Sequence, residues 1–294
     1  MLKIAEIKTL FTHAGTFHAD DVCVAAFMRM AVGNRLNIVR GYNPPKDAEA
    51  RGVLVADIGD GPFDHHASPR EKRENGVAYA AFGKVVRAYG VESGLLADEA
   101  EYKLFDAGFI QELDLYDNEG PDRFGGRMQG FCQLIARLNP MWDEDQSLQS
   151  QMRGFMQGVK IAEVYIGREL HRVKSLTAAN ELVKAELANA RRGVLVLDEY
   201  VPFQFALAKE RNINWVIVPS QRGGYAAMSV KDRNGRSRQL WPECYRGKPR
   251  SELQALCKGM TFCHATGFMA VFQSKGQAQE AAEAMWHDRA TCPQ

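Results

Sequence analysis

The apolar and polar positions of the first third of the chain alternate between two periods. Lys8–His13, Asn37–Tyr42 and Val53–Ile58 are short runs rich in β-branched and apolar residues, as strands are. Asp20–Val32 instead spaces its apolar residues as a helix does, with Asp20 or Asp21 near its start. Strands separated by helices predict an α/β fold, a mostly parallel sheet flanked by helices. From Ala78 to about Ala190 the pattern is mainly helical, broken at Asp117-Asn118-Glu119-Gly120 and at Leu138-Asn139-Pro140. Glu144–Arg192 is long and amphipathic and predicts a helical segment bridging two domains. Beyond Arg192-Gly193 the period changes again. Val194–Leu197, Trp215–Val218, Tyr225–Val230 and Thr261–Ala265 read as strands, with helices near Ser251–Cys257 and Gly276–Trp286. The expected division is residues 1–174, a domain with a helical extension, and residues 175–294, a helical linker and a smaller α/β domain.

Composition agrees with two globular domains: 294 residues, 46% hydrophobic and 25% charged, exclude a fibre or an extended disordered region. A net charge of +1, from 37 basic and 36 acidic side chains, excludes a strongly basic protein but leaves room for local patches. Met1–Lys8 shows no long apolar stretch or small-residue cleavage site, and no run approaches the ~20 apolar residues that span a bilayer. A soluble, cytoplasmic protein with no membrane partner is expected. The six cysteines (Cys23, Cys132, Cys244, Cys257, Cys263, Cys292) lack the two-residue gap of a zinc knuckle or redox pair. Free thiols in a reducing compartment are expected.

Four of the seven histidines, His13, His18, His65 and His66, fall within the first 66 residues, interleaved with Asp20, Asp21, Asp57, Asp60 and Asp64. They sit where predicted strands end, which is where ligands bind in open α/β sheets. Imidazole and carboxylate donors without thiolate favour manganese, with magnesium, cobalt or zinc as alternatives. Several carboxylates together repel one another, and divalent cations are the simplest neutraliser. Two ions sharing a bridging carboxylate suit phosphoryl transfer to water. Plainer roles compete residue by residue: Asp21 and Asp60 suit a helix cap or a turn, and His171 and His287 a structural hydrogen bond.

The strings Thr12-His13-Ala14-Gly15-Thr16-Phe17-His18-Ala19-Asp20-Asp21, Asp57-Ile58-Gly59 leading to Asp64-His65-His66, Leu115-Tyr116-Asp117-Asn118 and Cys263-His264-Ala265-Thr266-Gly267-Phe268 resemble the DHH phosphoesterase superfamily, and within it the Myg family of metal-dependent hydrolases and exonucleases. The resemblance implies a DHH-like catalytic domain in residues 1–174 and a substrate-binding domain in residues 175–294. It implies one metal held by His13, His18 and Asp57, and a second held by Asp20, Asp57, His65 and Asp117, with Asp57 bridging. His66 would face the substrate phosphate and Asp64 would orient the histidine pair. Two departures stand out: His18 replaces an aspartate, and Asn118 is followed by Glu119 rather than glycine, which makes Asp114 a competitor of Asp117. The implied activity is that of a two-metal, manganese-dependent phosphodiesterase of 3′–5′ exonuclease type, acting on RNA or short oligonucleotides. The alternatives are hydrolysis of pyrophosphate or a phosphorylated metabolite, and a metal-binding scaffold without turnover.

Arg211–Arg250 holds nine basic residues against two acidic ones. Arg236, Arg238, Arg246 and His264 are therefore candidates for gripping a phosphate backbone, with Tyr225, Trp241 and Tyr245 placed to stack bases. The competing reading is a solvated hairpin around Asp232-Arg233-Asn234-Gly235, with His264 structural.

Overall fold

β1 (Thr9–His13), β2 (Asn37–Gly41) and β3 (Val53–Val55) form a wholly parallel sheet in the order β2-β1-β3. The computed structural model describes residues 1–66, 69–120, 126 and 128–286, so the expectations placed on His287 and Cys292 lie outside the described residues. Parallel neighbours require a crossover, and α1 (Ala19–Val32) lies between β1 and β2. Every residue of α1 from Ala19 to Met28 is buried. Its apolar residues accordingly occupy all sides, the pattern of a helix inside a core.

Helices α2 (Ala81–Tyr89), α3 (Glu99–Phe105), α4 (Gln111–Glu119) and α5 (Met128–Ala136) complete the surroundings, and Phe17, Phe27, Phe82, Phe109 and Phe155 share one core with Leu10 and Val22. A π-helical segment, Asp106–Ile110, joins α3 to α4. Where the sequence predicts a turn at Asp117-Asn118-Glu119, α4 continues, and it stops only at Gly120, whose φ of 77° suits glycine. Asp114, Asp117 and Asn118 are therefore set three and four residues apart on one helix face.

Helix α6 (Leu148–Glu186) runs for 39 residues, and the chain divides within it into two compact units, Met1–Lys174 and Ser175–Gln294. The second unit contains β4 (Val194–Val196), α7 (Gln204–Leu207), β5 (Trp215–Pro219), β6 (Tyr225–Ser229), α8 (Arg250–Leu256), β7 (Met260–Cys263), β8 (Met269–Phe272) and α9 (Lys275–Ala284). Its sheet, ordered β4-β5-β6-β8-β7, is parallel between β4 and β5 and antiparallel elsewhere. Strand alternation sorts β5 between two cores: Val216 and Val218 join Leu195 and Val271, whereas Trp215 and Ile217 join Trp241 and Phe272. β8 is not among the predicted strands.

Cys23, Cys132, Cys257 and Cys263 are free, as expected, but Cys244 is disulfide-bonded. The fold, rather than spacing along the chain, decides which thiols meet. No helix among the described residues is long and apolar enough to cross a membrane.

Candidate metal centre

His13 is the last residue of β1, and Asp57 lies just past β3, which β1 pairs directly. Asp57 is 4% exposed and has a φ of 60°, a left-handed conformation that costs a residue with a Cβ of order 1–3 kcal/mol. Its N–H donates to Phe63 O (3.0 Å), closing the tight turn that leads to Asp64-His65-His66. In this turn the Asp57 carboxylate lies between two imidazoles: Oδ2 is 3.3 Å from His13 Nε2 and Oδ1 is 3.0 Å from His65 Nε2.

The other nitrogen of each ring is already assigned. His13 Nδ1 faces Ala14 O at 3.0 Å and His65 Nδ1 faces Asn118 Oδ1 at 3.2 Å; both partners are acceptors, so both Nδ1 atoms carry the proton. The Asn118 amide cannot turn over without loss, because its Nδ2 donates to Asp114 O (2.9 Å) and Ala78 O (3.4 Å). In the neutral rings each Nε2 is then a lone pair aimed at carboxylate oxygens. Either the imidazoles are protonated or a cation belongs between them and the carboxylates.

Helix α1 brings two more carboxylates. Asp20 accepts from the N–H groups of Ala81 (3.0 Å) and Phe82 (2.9 Å), capping α2. Asp21 Oδ1 accepts from the N–H groups of His18 (2.8 Å) and Val22 (3.0 Å). Its Oδ2 lies 3.2 Å from His13 Nε2 and 4.0 Å from the Arg40 guanidinium, yet is buried without a hydrogen bond, as is Asp57 Oδ1. Asp117 Oδ2 is 3.3 Å from His65 Nε2. Three sets of donor atoms each fall within 4.8 Å of one another: His13, Asp21 and Asp57; Asp20, His65 and Asp117; and Asp57, His65 and His66.

The electrostatics of these sets pull in opposite directions. Burial and the charges of Asp117 and Asp57 push the Asp20 carboxyl well above the usual range. Burial likewise raises Asp117, against the opposing pull of His65. Burial works against the charge on Asp57, but contact with His13 and His65 outweighs it and holds the carboxylate well below its usual range. His13 is pushed up to about 10, since Asp21 and Asp57 overcome the cost of burying its charge. Buried carboxylates that titrate high, beside imidazoles that hold protons only because carboxylates face them, are a donor set short of positive charge. Divalent cations fit it.

A cavity of about 720 Å³ opens over these groups, lined also by His18, Asp64, His66, Arg70, Tyr116 and Cys132. His66 Nδ1 donates to Asp64 Oδ1 at 2.7 Å, and its side chain is 63% exposed. Burial disfavours charge on Asp64, but the N–H groups of His66 and Asp60 and the His66 ring together hold its carboxyl low. Burial and the Asp117 charge push the Cys132 thiol up to about 12, so the cavity offers no thiolate.

His13, Asp20, Asp57, Asp64, His65, His66 and Asp117 all line this one cavity. Predicted with them, His18 lines the cavity with its ring 5.8 Å from that of His13, but it belongs to none of the close donor sets. Asp21, expected as a cap, caps with one oxygen and offers the other. Asp114, the competitor of Asp117, is committed elsewhere: Arg73 bridges it (2.7 Å) to Asp106 (2.6 Å), and Gly83 N–H donates to its Oδ1 (3.2 Å). A Cβ on Gly83 would fall 2.1 Å from Asp114 Oδ2, so only glycine permits this approach. Asn118, which the sequence does not mark out, meets His65 only because α4 continues past Asp117.

In the second unit the residues of the predicted strip have unlike surroundings. Trp241 is 2% exposed and packs against Trp215 and Phe272 (ring centroids 4.9 and 5.5 Å), so it is core and not a stacking platform. Arg238 donates to the carbonyls of Leu207 (2.8 Å), Ala208 (3.4 Å), Ile213 (2.7 Å) and Glu210, holding the end of α7. Arg246 Nε donates to Trp241 O (2.7 Å). Arg236 is exposed on the hairpin whose turn Asp232 Oδ1 organises. His264 Nδ1 accepts from Thr266 N–H (3.2 Å), and the residue lines a cavity of about 610 Å³ with Tyr200, Arg222 and Phe262.

Fold and site together define an α/β protein whose clustered acidic and imidazole groups could hold metal ions. The family model MYG1_exonuc, described as "Uncharacterised protein family (UPF0160)", matches residues 9–285, and the chain belongs to that family. It is 27% identical to the MYG1 protein YER156C of Saccharomyces cerevisiae, over 94% of this chain and 95% of that protein. It is also 25% identical to proteins named MYG1 exonuclease from Mus musculus (93% of this chain, 83% of that protein) and Homo sapiens (96% and 87%). No solved structure matches the chain significantly.

Proposed function

We propose that this protein is a metal-dependent phosphoesterase that hydrolyses phosphodiester bonds in RNA or short oligonucleotides, with 3′–5′ exonuclease polarity and two manganese ions. The observation that carries this reading is the buried Asp57 carboxylate, shared by two donor sets and set between the Nε2 atoms of His13 and His65, with its Oδ1 left without a hydrogen bond. His13, Asp21 and Asp57 would hold one ion, and Asp20, His65 and Asp117 the other, with Asp57 between them. His18, in reach of the same cavity, would contact the first ion or the substrate beside it. When bound, the pair supplies Lewis acidity that activates water and neutralises charge on the phosphoryl oxygens. The names of the mammalian relatives agree with a nuclease.

The remaining roles fall to the chain. Asn118 holds the His65 proton on Nδ1 and so keeps Nε2 available as a donor. Asp64 does the same for His66: with Nδ1–H on the carboxylate, Nε2 is the ring atom left to face the substrate, where its lone pair would accept a proton from the attacking water or, in the doubly protonated ring, its N–H would donate to the leaving oxygen. Arg40, buried beneath Asp21 with Nη2 on Gly15 O (3.0 Å), offsets part of the negative charge from behind.

A second reading, hydrolysis of pyrophosphate or a phosphorylated metabolite, is favoured by the second unit, where Trp241 and Arg238 are committed within the fold. One experiment separates the two. The manganese-loaded protein is offered end-labelled RNA, single-stranded DNA, dinucleotides and pyrophosphate side by side, before and after chelation. A product ladder from RNA that disappears on chelation is expected; turnover of pyrophosphate alone would favour the second reading, and no manganese-dependent turnover of any would overturn both.

A further inference from the structure

Among the described residues, Arg70 is the one lysine or arginine lining the cavity of the metal centre, which also carries Asp20, Asp57, Asp64 and Asp117. Its neighbours in charge are committed elsewhere. Arg73 is held by Asp106 and Asp114, and Lys84 Nζ donates to Asp64 O (2.6 Å). Arg70 is exposed but tethered: Nη1 donates to the backbone oxygen of Asn118 at 3.1 Å. Asn118 lies in the last turn of α4, where carbonyls without helical partners favour a cation. Its side-chain amide is also the one that orients His65. One residue therefore fixes both the guanidinium and a metal-facing imidazole. A guanidinium presents five N–H donors in a planar fork, so a single tether leaves most of them for a ligand.

Charge balance says what that ligand is. Two divalent ions at most neutralise the four lining carboxylates. A phosphodiester brings one further negative charge, and hydrolysis develops more on its oxygens. We infer that Arg70 binds the non-bridging oxygens of the substrate phosphate and is the residue by which the site selects a phosphoester over an uncharged ester. The inference rests on the phosphoesterase reading above and adds to it a contact outside the metal ligands.

The test compares manganese-loaded wild type with Arg70→Ala and Arg70→Lys, each checked for metal content and melting midpoint. Affinity for inorganic phosphate is measured by calorimetry, and turnover with a simple diaryl phosphodiester. Arg70→Ala is expected to keep its metal and midpoint, weaken phosphate binding at least about tenfold and lower turnover about 10²-fold. Arg70→Lys, which restores the charge but not the fork, is expected to lie between. Wild-type-like phosphate affinity in Arg70→Ala, or no phosphate binding by wild type, would overturn the inference. So would loss of metal in step with loss of phosphate binding, since Arg70 would then merely brace Asn118. If wild type binds phosphate through Arg70 but cleaves no phosphoester, the functional reading fails and Arg70 keeps its role. If wild type and Arg70→Ala cleave equally, the reverse holds.

Discussion

The two units treat their polar side chains in opposite ways. In the first, His13, Asp21, Asp57, His65 and Asp117 face one another with oxygens left unbonded and titrations displaced in conflicting directions. In the second, Arg238 and Trp241, which look like ligand-binding residues, are satisfied internally: Arg238 on four carbonyls and Trp241 in a core. The first unit holds its own control, since Arg73, Asp106 and Asp114 form a buried ion network with matched partners. Clustered charge alone therefore marks nothing. Buried charge that the fold leaves unmatched points to a missing partner.

The contrast breaks most sharply at Asp57. Asp57→Ala in a folded protein should abolish manganese-dependent turnover and lose metal by more than the ~10–100-fold typical of residues that only support a ligand. Normal metal content in that variant would remove the centre from the proposal. Asp57→Gly should be equally inactive but more stable than Asp57→Ala by about 1 kcal/mol, because the two differ chiefly in left-handed strain, and chemical denaturation measures this.

In the second unit, Trp241→Ala should cost about 3–5 kcal/mol of stability, as core aromatics do. An unchanged melting midpoint with weakened oligonucleotide binding would return Trp241 to the surface. Asn118→Leu should weaken manganese binding about 10–100-fold by calorimetry while leaving the protein folded.

The pH dependence sharpens the comparison further. The His13 pKa is raised to about 10 in the folded chain, so in chelated protein its contribution to stability is full below about 6.5 and is lost as pH rises toward 10. Asp57, depressed, contributes above its ordinary value near 4 and is lost only in stronger acid. A metal ion held by His13 would have to displace that proton, so manganese affinity should instead rise across the same interval. Denaturation of chelated protein at pH 6, 8 and 10, paired with manganese titrations, checks both slopes; a flat stability profile would mean that His13 is not held by Asp21 and Asp57. The smallest effect is expected at the hairpin: Arg238→Ala should cost about 1–3 kcal/mol through its abandoned carbonyls, and exposed Arg236→Ala no more than about 0.5 kcal/mol.

Periodicity and composition made much of this legible. The strand ends at His13 and just before Asp57, the Asp64-His65-His66 string and the change of period near Arg192 are local signals, set by side-chain alternation and turn chemistry within a few residues. Asp21 was hidden because an aspartate in the first turn of a helix reads as a cap, and here it is one, with its second oxygen left over. Asn118 was hidden because Asp-Asn-Glu-Gly reads as a turn, whereas burial of Leu113 and Asp114 carries α4 on to Gly120. Trp241 misled because aromatics among arginines look alike in sequence whether they stack on a base or on Trp215.

By itself, the sequence determined which donors exist and that His13 and Asp57 sit at the ends of strands, since strand and helix periods follow from residues close in the chain. Only the tertiary structure decided which donors meet. Residues 13, 21, 57, 65 and 117 are separated along the chain, and their pairing depends on distances of 3.0–3.3 Å across the core that no local propensity encodes. The same is true of the arginines: whether a guanidinium is available to a phosphate depends on which carbonyls the fold has already placed against it.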